Sequence, residues 1–215
     1  MVFSDRKQAG QLLGEKLADF AHREDVLILA IPRGGVVVGF ELAKKLGLPL
    51  QVVVTKKIGA PENSELAIGA VAEDGKPIFN EDLVRRLQVT DAYLRAATAS
   101  VHKKIADYIQ QFRHGKVLHV SGKIVIITDD GVATGSTMEA ALSWLREQEP
   151  TEVILAVPTG ARESIEQLKS LADQTIVLDT PEWFSAVGQF YRQFDQVSDE
   201  QVKRFLEMSR SQSAN

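Results

Sequence analysis

The stretch Lys123-Ile124-Val125-Ile126-Ile127-Thr128-Asp129-Asp130-Gly131-Val132-Ala133-Thr134-Gly135-Ser136-Thr137 constrains the fold of this chain more than any other. An apolar run rich in β-branched residues reads as a buried strand. It ends in two adjacent carboxylates, a short loop of small residues and the start of an apolar-periodic helix. Gly131 and Gly135 let the backbone turn so that amide N–H groups of the loop and first helical turn converge, where the helix N-terminus adds positive potential. A phosphate suits that point. Asp129 and Asp130 cannot serve it, because like charges repel, but ionised carboxylates only accept hydrogen bonds and so suit the two hydroxyls of a vicinal diol. The pair therefore points to ribose, and the loop to its 5′-phosphate. An ordinary strand, turn and helix is the alternative, since Ser136-Thr137-Met138-Glu139 also reads as a capping box. That alternative accounts for Ser136 and Glu139 but not for the paired acids. No Lys follows Gly135 and no GxGxxG occurs, so the segment is not a nucleotide P-loop.

Around this segment strand and helix signals alternate, the pattern of an α/β fold with a mainly parallel, roughly five-stranded sheet flanked by helices. Helical periodicity covers about Asp5 to Ala21, Val36 to Leu46, Glu81 to Leu87, Thr90 to Phe112, Ser136 to Gln148, Ala161 to Leu171 and Ser198 to Met208. Strands are expected at Val26 to Ile31, Leu50 to Lys56, Lys123 to Asp129, Val153 to Pro158 and Thr175 to Asp179. Between Ile58 and Asp82, Gly59, Pro61, Asn63, Gly69, Gly75 and Pro77 suggest a long loop or hairpin excursion. Ligands bind at the carboxyl ends of strands in open parallel sheets, so Pro32, Lys57, Asp129 and Pro158 should border one crevice.

Composition narrows the class. At 215 residues and 44% hydrophobic, the chain can bury a core without disulfides or metal, and a single domain spanning 1–215 is the default. With no cysteine there is no thiolate nucleophile and no cysteine-ligated metal. No apolar run approaches the ~20 residues that span a bilayer, so a soluble, cytoplasmic protein without a membrane partner is expected. A net charge of −4 leaves no electrostatic footprint for nucleic acid, and an anionic substrate would need a local basic pocket.

Residues 124–137 resemble throughout the binding motif of the type I phosphoribosyltransferases, which use phosphoribosyl pyrophosphate (PRPP): apolar residues, two acids, two variable residues, then a small residue, Thr, Gly, Gly or Ser, and Thr. The resemblance implies a PRPP site made of Asp129, Asp130, Gly131, Val132, Ala133, Thr134, Gly135, Ser136 and Thr137. Ile31-Pro32-Arg33-Gly34-Gly35 is similar to the family's pyrophosphate loop, offering a guanidinium from Arg33 and backbone donors at Gly34 and Gly35. Read alone, it is a tight strand-to-helix turn with a solvated Arg33. Lys56-Lys57 opens a region that resembles the family's flexible lid, about residues 58–82, with Lys57 the better ligand contact and Glu65 a weaker one. The alternative is a solvated strand end.

The chemistry so implied is displacement of pyrophosphate from PRPP by a nitrogen nucleophile, with Asp129, Asp130, Lys57 and Arg33 as the catalytic set and Mg²⁺ carried mainly by PRPP rather than by protein ligands. His102, His114 and His119 show no ligand spacing. The acceptor is open: Ala133 stands where 6-oxopurine enzymes of the family commonly hold an Asp, which weakens a hypoxanthine or guanine acceptor. A hood at about 181–195, with Trp183-Phe184-Ser185-Ala186-Val187-Gly188-Gln189-Phe190-Tyr191, could stack on a planar base or simply pack the C-terminal helix onto the core. The whole chain most resembles uncharacterised phosphoribosyltransferases of similar length. A homodimer is expected, and a non-catalytic PRPP-sensing regulator is the alternative function.

Overall fold

The computed structural model describes residues 1–64 and 66–213. Five strands, β1 (Val26–Ala30), β2 (Leu50–Val52), β6 (Ile124–Thr128), β7 (Glu152–Thr159) and β8 (Gln174–Asp179), form a parallel sheet in the order β2-β1-β6-β7-β8. β1 and β6 are buried along their whole length, as expected of central parallel strands covered on both faces. Alternate side chains go to opposite layers: Ile28, Ile126 and Ile154 pack under one set of helices, Leu29, Ile127 and Leu155 under the other. The first layer contains α2 (Gly34–Leu46), α1 (Arg6–Lys16) and α7 (Asp199–Ser213), and the second α5 (Ser136–Glu147) and α6 (Arg162–Lys169).

The expected strand over Leu50 to Lys56 is in fact two. β2 stops at Val52, buried Val53 and Val54 cross out of the sheet, and β3 (Thr55–Gly59) begins a separate antiparallel sheet with β4 (Ala67–Ala72) and β5 (Ile78–Phe79). Of the two forms expected over 58–82, a long flexible loop or a hairpin excursion, the second holds: the region is mostly a three-stranded meander, with Thr55 opposite Ala72 and Lys57 opposite Ala70. Its Gly and Pro content suggested a loop, but Ile58, Ile68 and Val71 find a core against Val101 and Ile105 of α4 (Asp91–Arg113), and burial overrides the local propensity. α3 (Glu81–Arg86) joins β5 to α4. Glu65 lies outside the described residues.

The point where the chain changes sheets is fixed by a buried ion pair. Glu73 Oε1 accepts from Val54 N at 2.7 Å, and its other oxygen accepts from Arg113 Nη2. Both side chains are almost wholly excluded from solvent, so Arg113 of α4 and Glu73 together hold the root of β3. At the opposite edge the N-terminal residues meet the segment before α7: Phe3 N donates to Phe190 O at 2.8 Å and Arg192 N to Phe3 O at 2.9 Å. No helix among the described residues is long and apolar enough to cross a membrane.

Candidate active site

β6 delivers Asp129 and Asp130 to the carboxyl edge of the sheet, and the loop from Gly131 leads into α5. Gly135, at φ +79°, is the N-cap of α5 and no side chain accepts from the first-turn amides, so the capping box does not form. The hydroxyls of Thr134 and Ser136 face each other at 3.1 Å instead. The loop is held from behind: Val132 N donates to Thr159 O at 3.0 Å, Ala161 N to Val132 O at 2.8 Å, and Ser164 Oγ to Ala133 O at 2.6 Å. In front of it lies a cavity of about 180 Å³, bordered by Asp129, residues 131–135, Thr137 and, from β3, Lys57. First-turn amides, hydroxyls and an ammonium around a small cavity suit a phosphate group.

A second, larger cavity of about 530 Å³ opens after β1, bordered by Pro32, Arg33 and Gly34, by Thr55 and Lys56 of β3, and by Tyr108 of α4. Arg33 Nη1 stands 3.7 Å from Asp199 Oδ1 at the start of α7, and Lys56 Nζ lies 3.7 Å from the centre of the Tyr108 ring. Burial and then the nearby Arg33 push the Lys56 ammonium below its ordinary value. Two expectations change here. Lys56 rather than Lys57 shares a cavity with Arg33, because successive side chains of a strand point to opposite faces. Gly34 and Gly35 are the first residues of α2, where their amides lack intrahelical acceptors, and they have a steric role besides. A Cβ on Gly34 would sit 1.9 Å from Asp130 Oδ2, and one on Gly35 2.8 Å from Asp129 Oδ1, so only glycine lets the acids reach this turn. Pro158, expected at the crevice, is buried within β7 and borders neither cavity.

The acid pair lies between the two cavities. Asp130 N donates to Asp129 Oδ1 at 2.7 Å. Burial raises both carboxyls; the charge of Asp130 raises Asp129 further, well above the ordinary carboxylate range, while Arg6 opposes the rise at Asp130. Arg6 was not anticipated. Its Nε donates to Asp130 Oδ2 at 2.7 Å, with both side chains largely buried, and Tyr191 Oη donates to the Asp130 carbonyl at 2.6 Å. One local signal did exist: Arg6 sits in the first turn of α1, where a cation opposes the helix dipole, so its position asks for an anionic partner elsewhere.

The hood aromatics do not pack the C-terminal helix. Phe190 and Tyr191 are buried with Phe3 and Ala9, and Phe184 stacks on Phe190 at 4.9 Å. Trp183 is 85% exposed and free to stack on something else. Val187 reaches the smaller cavity. Of the histidines, His102 Nδ1 lies 3.2 Å from Glu73 O, and His114 ends α4 in a left-handed conformation. Among the described residues no group of three or more His, Cys, Asp or Glu could hold a metal ion.

Residues 6–195 match the family model described as a phosphoribosyl transferase domain. Proteins from two strains of Mycobacterium tuberculosis, provisionally named phosphoribosyl transferases, are 40% identical over 207 residues, which is 96% of this chain and 46% of theirs. The chain thus spans about half the length of these relatives. The crystal structure of TT1426 from Thermus thermophilus is 40% identical, covers 96% of this chain and 98% of its own, and superposes with a TM-score of 0.79.

Proposed function

Because this chain belongs to the phosphoribosyl transferase domain family, we propose that it moves ribose 5-phosphate from PRPP to a nitrogen acceptor and releases pyrophosphate. The observation that carries the reading is the acid pair Asp129–Asp130 between two anion-suited cavities, one against the bare N-terminus of α5 and one lined by Arg33 and Lys56. PRPP has the same order of parts: a 5′-phosphate, a vicinal diol, and a pyrophosphate at C1.

In this reading the 5′-phosphate occupies the smaller cavity, with the α5 amides, Thr134, Thr137 and Lys57 as donors. Asp129 and Asp130 accept from the ribose hydroxyls. Pyrophosphate lies in the larger cavity against Arg33 and Lys56. As the C1–oxygen bond breaks, its electron pair leaves with pyrophosphate, positive charge develops on the ribose ring, and the acceptor's lone pair forms the new C1–nitrogen bond. Fixed cations beside the leaving group stabilise that separation of charge, and the carboxylates beneath the ring favour its positive form. The site also fits Mg²⁺ carried on phosphate oxygens and water, which needs no protein cage, and among the described residues no group of three or more His, Cys, Asp or Glu forms one. Mg²⁺ so bound would lower the charge of the departing pyrophosphate.

Titration calorimetry with Mg-PRPP, followed by a pyrophosphate-release assay over a panel of bases and amines, tests the reading. Binding that is lost on replacing Asp129 and Asp130 with Ala, together with release for at least one acceptor, is expected. No binding by the wild type would overturn the site. Binding without release for any acceptor would favour a PRPP-sensing regulator.

A further inference from the structure

In the reading above, ribose and its phosphates meet β3 and the segments after β1 and β6, yet the diol carboxylate is held from the far N-terminus. Asp5 caps α1 by accepting from Gln8 N at 2.8 Å, which fixes Arg6 as the first helical residue. From there the guanidinium makes three kinds of contact at once. Nε donates to Asp130 Oδ2, Nη1 donates to Asp195 O at 2.9 Å, and the guanidinium carbon lies 3.7 Å from the centre of the Phe194 ring. A planar cation can donate in its plane and stack on its face together; an ammonium cannot.

We propose that Arg6 is a positioning residue of the ribose site: it holds the Asp130 carboxylate against the first turn of α2 and ties the segment around Phe194 to it. This rests on the phosphoribosyl reading above. The arrangement costs the α1 helix something, since a buried cation in its first turn opposes the dipole, and the Asp130 contact is what offsets it. The gain is geometric. Asp130 Oδ2 lies where only a glycine at position 34 leaves room, and the same absent Cβ would come within 3.0 Å of Arg6 Nε. The carboxylate therefore has little freedom to rotate, and Arg6 fixes which oxygen faces α1. Arg6 also borders the larger cavity together with Phe194, so removing it would loosen that wall and the ribose floor together.

The charged and titratable groups in contact with Asp130 are Arg6 from α1, Asp129 from its own loop and Tyr191 from the segment before α7; the glycines of α2 present only backbone there, and Arg33 and Lys56 border the larger cavity that Asp130 also lines. Arg6 is the cation in contact with the carboxylate, so its loss leaves burial to favour the protonated acid.

Calorimetry with ribose 5-phosphate across about pH 5 to 8 on the wild type, Arg6→Gln and Arg6→Lys reads this out, with inorganic phosphate as the second probe. In Arg6→Gln the acid limb of ribose 5-phosphate binding should move up by about one pH unit, with roughly tenfold weaker binding on that limb. Arg6→Lys keeps the charge and should restore the limb while binding several-fold more weakly, for want of the stacked plane. Inorganic phosphate carries no diol for Asp130 to hold, so its binding should change far less than that of ribose 5-phosphate across the three proteins. An Arg6→Gln protein with the wild-type limb, or one that loses inorganic phosphate equally, overturns the proposal and leaves the phosphoribosyl reading intact. A wild type that binds no ribose 5-phosphate at any pH sinks that reading, and this one falls with it.

Discussion

Asp129 shows how the site strains against stability. Its carboxyl is held well above the ordinary value of about 3.9 by burial and by Asp130. The folded protein therefore takes up this proton more readily than the unfolded chain. Stability from this group is gained as pH falls through the raised value toward the ordinary one, and lost as pH rises through that window. Above that window the ionised acid is a cost kept for ligand. Asp129→Asn retains an oxygen for the Asp130 amide and removes the charge, so thermal unfolding at pH 7 should occur higher by about 2–4 °C if ~1 kcal/mol is recovered, while PRPP binding weakens. A lower unfolding temperature would contradict the assignment. The neighbouring lysines should separate by ligand: Lys57→Ala should weaken both PRPP and nucleoside monophosphate, whereas Lys56→Ala should weaken PRPP and pyrophosphate and spare the monophosphate. Each lost charge-assisted contact is worth about 1–3 kcal/mol, which calorimetry resolves easily. Equal effects of the two variants on the monophosphate would undo the division of the cavities.

At the scale of elements, what matters is how β3 leaves the main sheet with its lysines facing opposite ways. The pleat alone divides Lys56 from Lys57, but the register is set where Glu73 accepts from Val54 N and from Arg113. Burial pushes the Glu73 carboxyl up, and Arg113 is the cation that opposes this. Removing one member of a buried pair leaves the other uncompensated. Arg113→Met should destabilise the protein by about 3–5 kcal/mol in urea denaturation, and Glu73→Leu combined with Arg113→Met should cost much less. If the double variant is as unstable as the single one, the pair does more than neutralise itself.

For the molecule as a whole, the N-terminal residues and the segment before α7 close one side of the site. Phe3 is 1% exposed, bridges to Tyr191 and packs beside Phe190, so Phe3→Ala should cost about 3–5 kcal/mol and loosen the segment that carries Val187 and Phe194. Chemical denaturation checks the first effect, and faster hydrogen exchange of the amides at position 3 and Arg192 the second. The sequence by itself determined the five parallel strands and the run from Asp129 to Thr137, because both are local: an apolar strand, an abrupt pair of acids and a helix start are written in adjacent residues. Only the tertiary structure decided between a loop and a hairpin over 58–82, since Ile68 and Val71 become strand residues by meeting Val101 and Ile105 on a helix some thirty residues later. It also decided that Gly34 and Gly35 serve as clearance for the acids, that Lys56 and not Lys57 joins Arg33, and that Arg6 meets Asp130 across a separation of 124 residues. Periodicity and turn chemistry act over a few residues along the chain, whereas an ion pair or a steric clearance depends on which distant segments the packed core brings into contact.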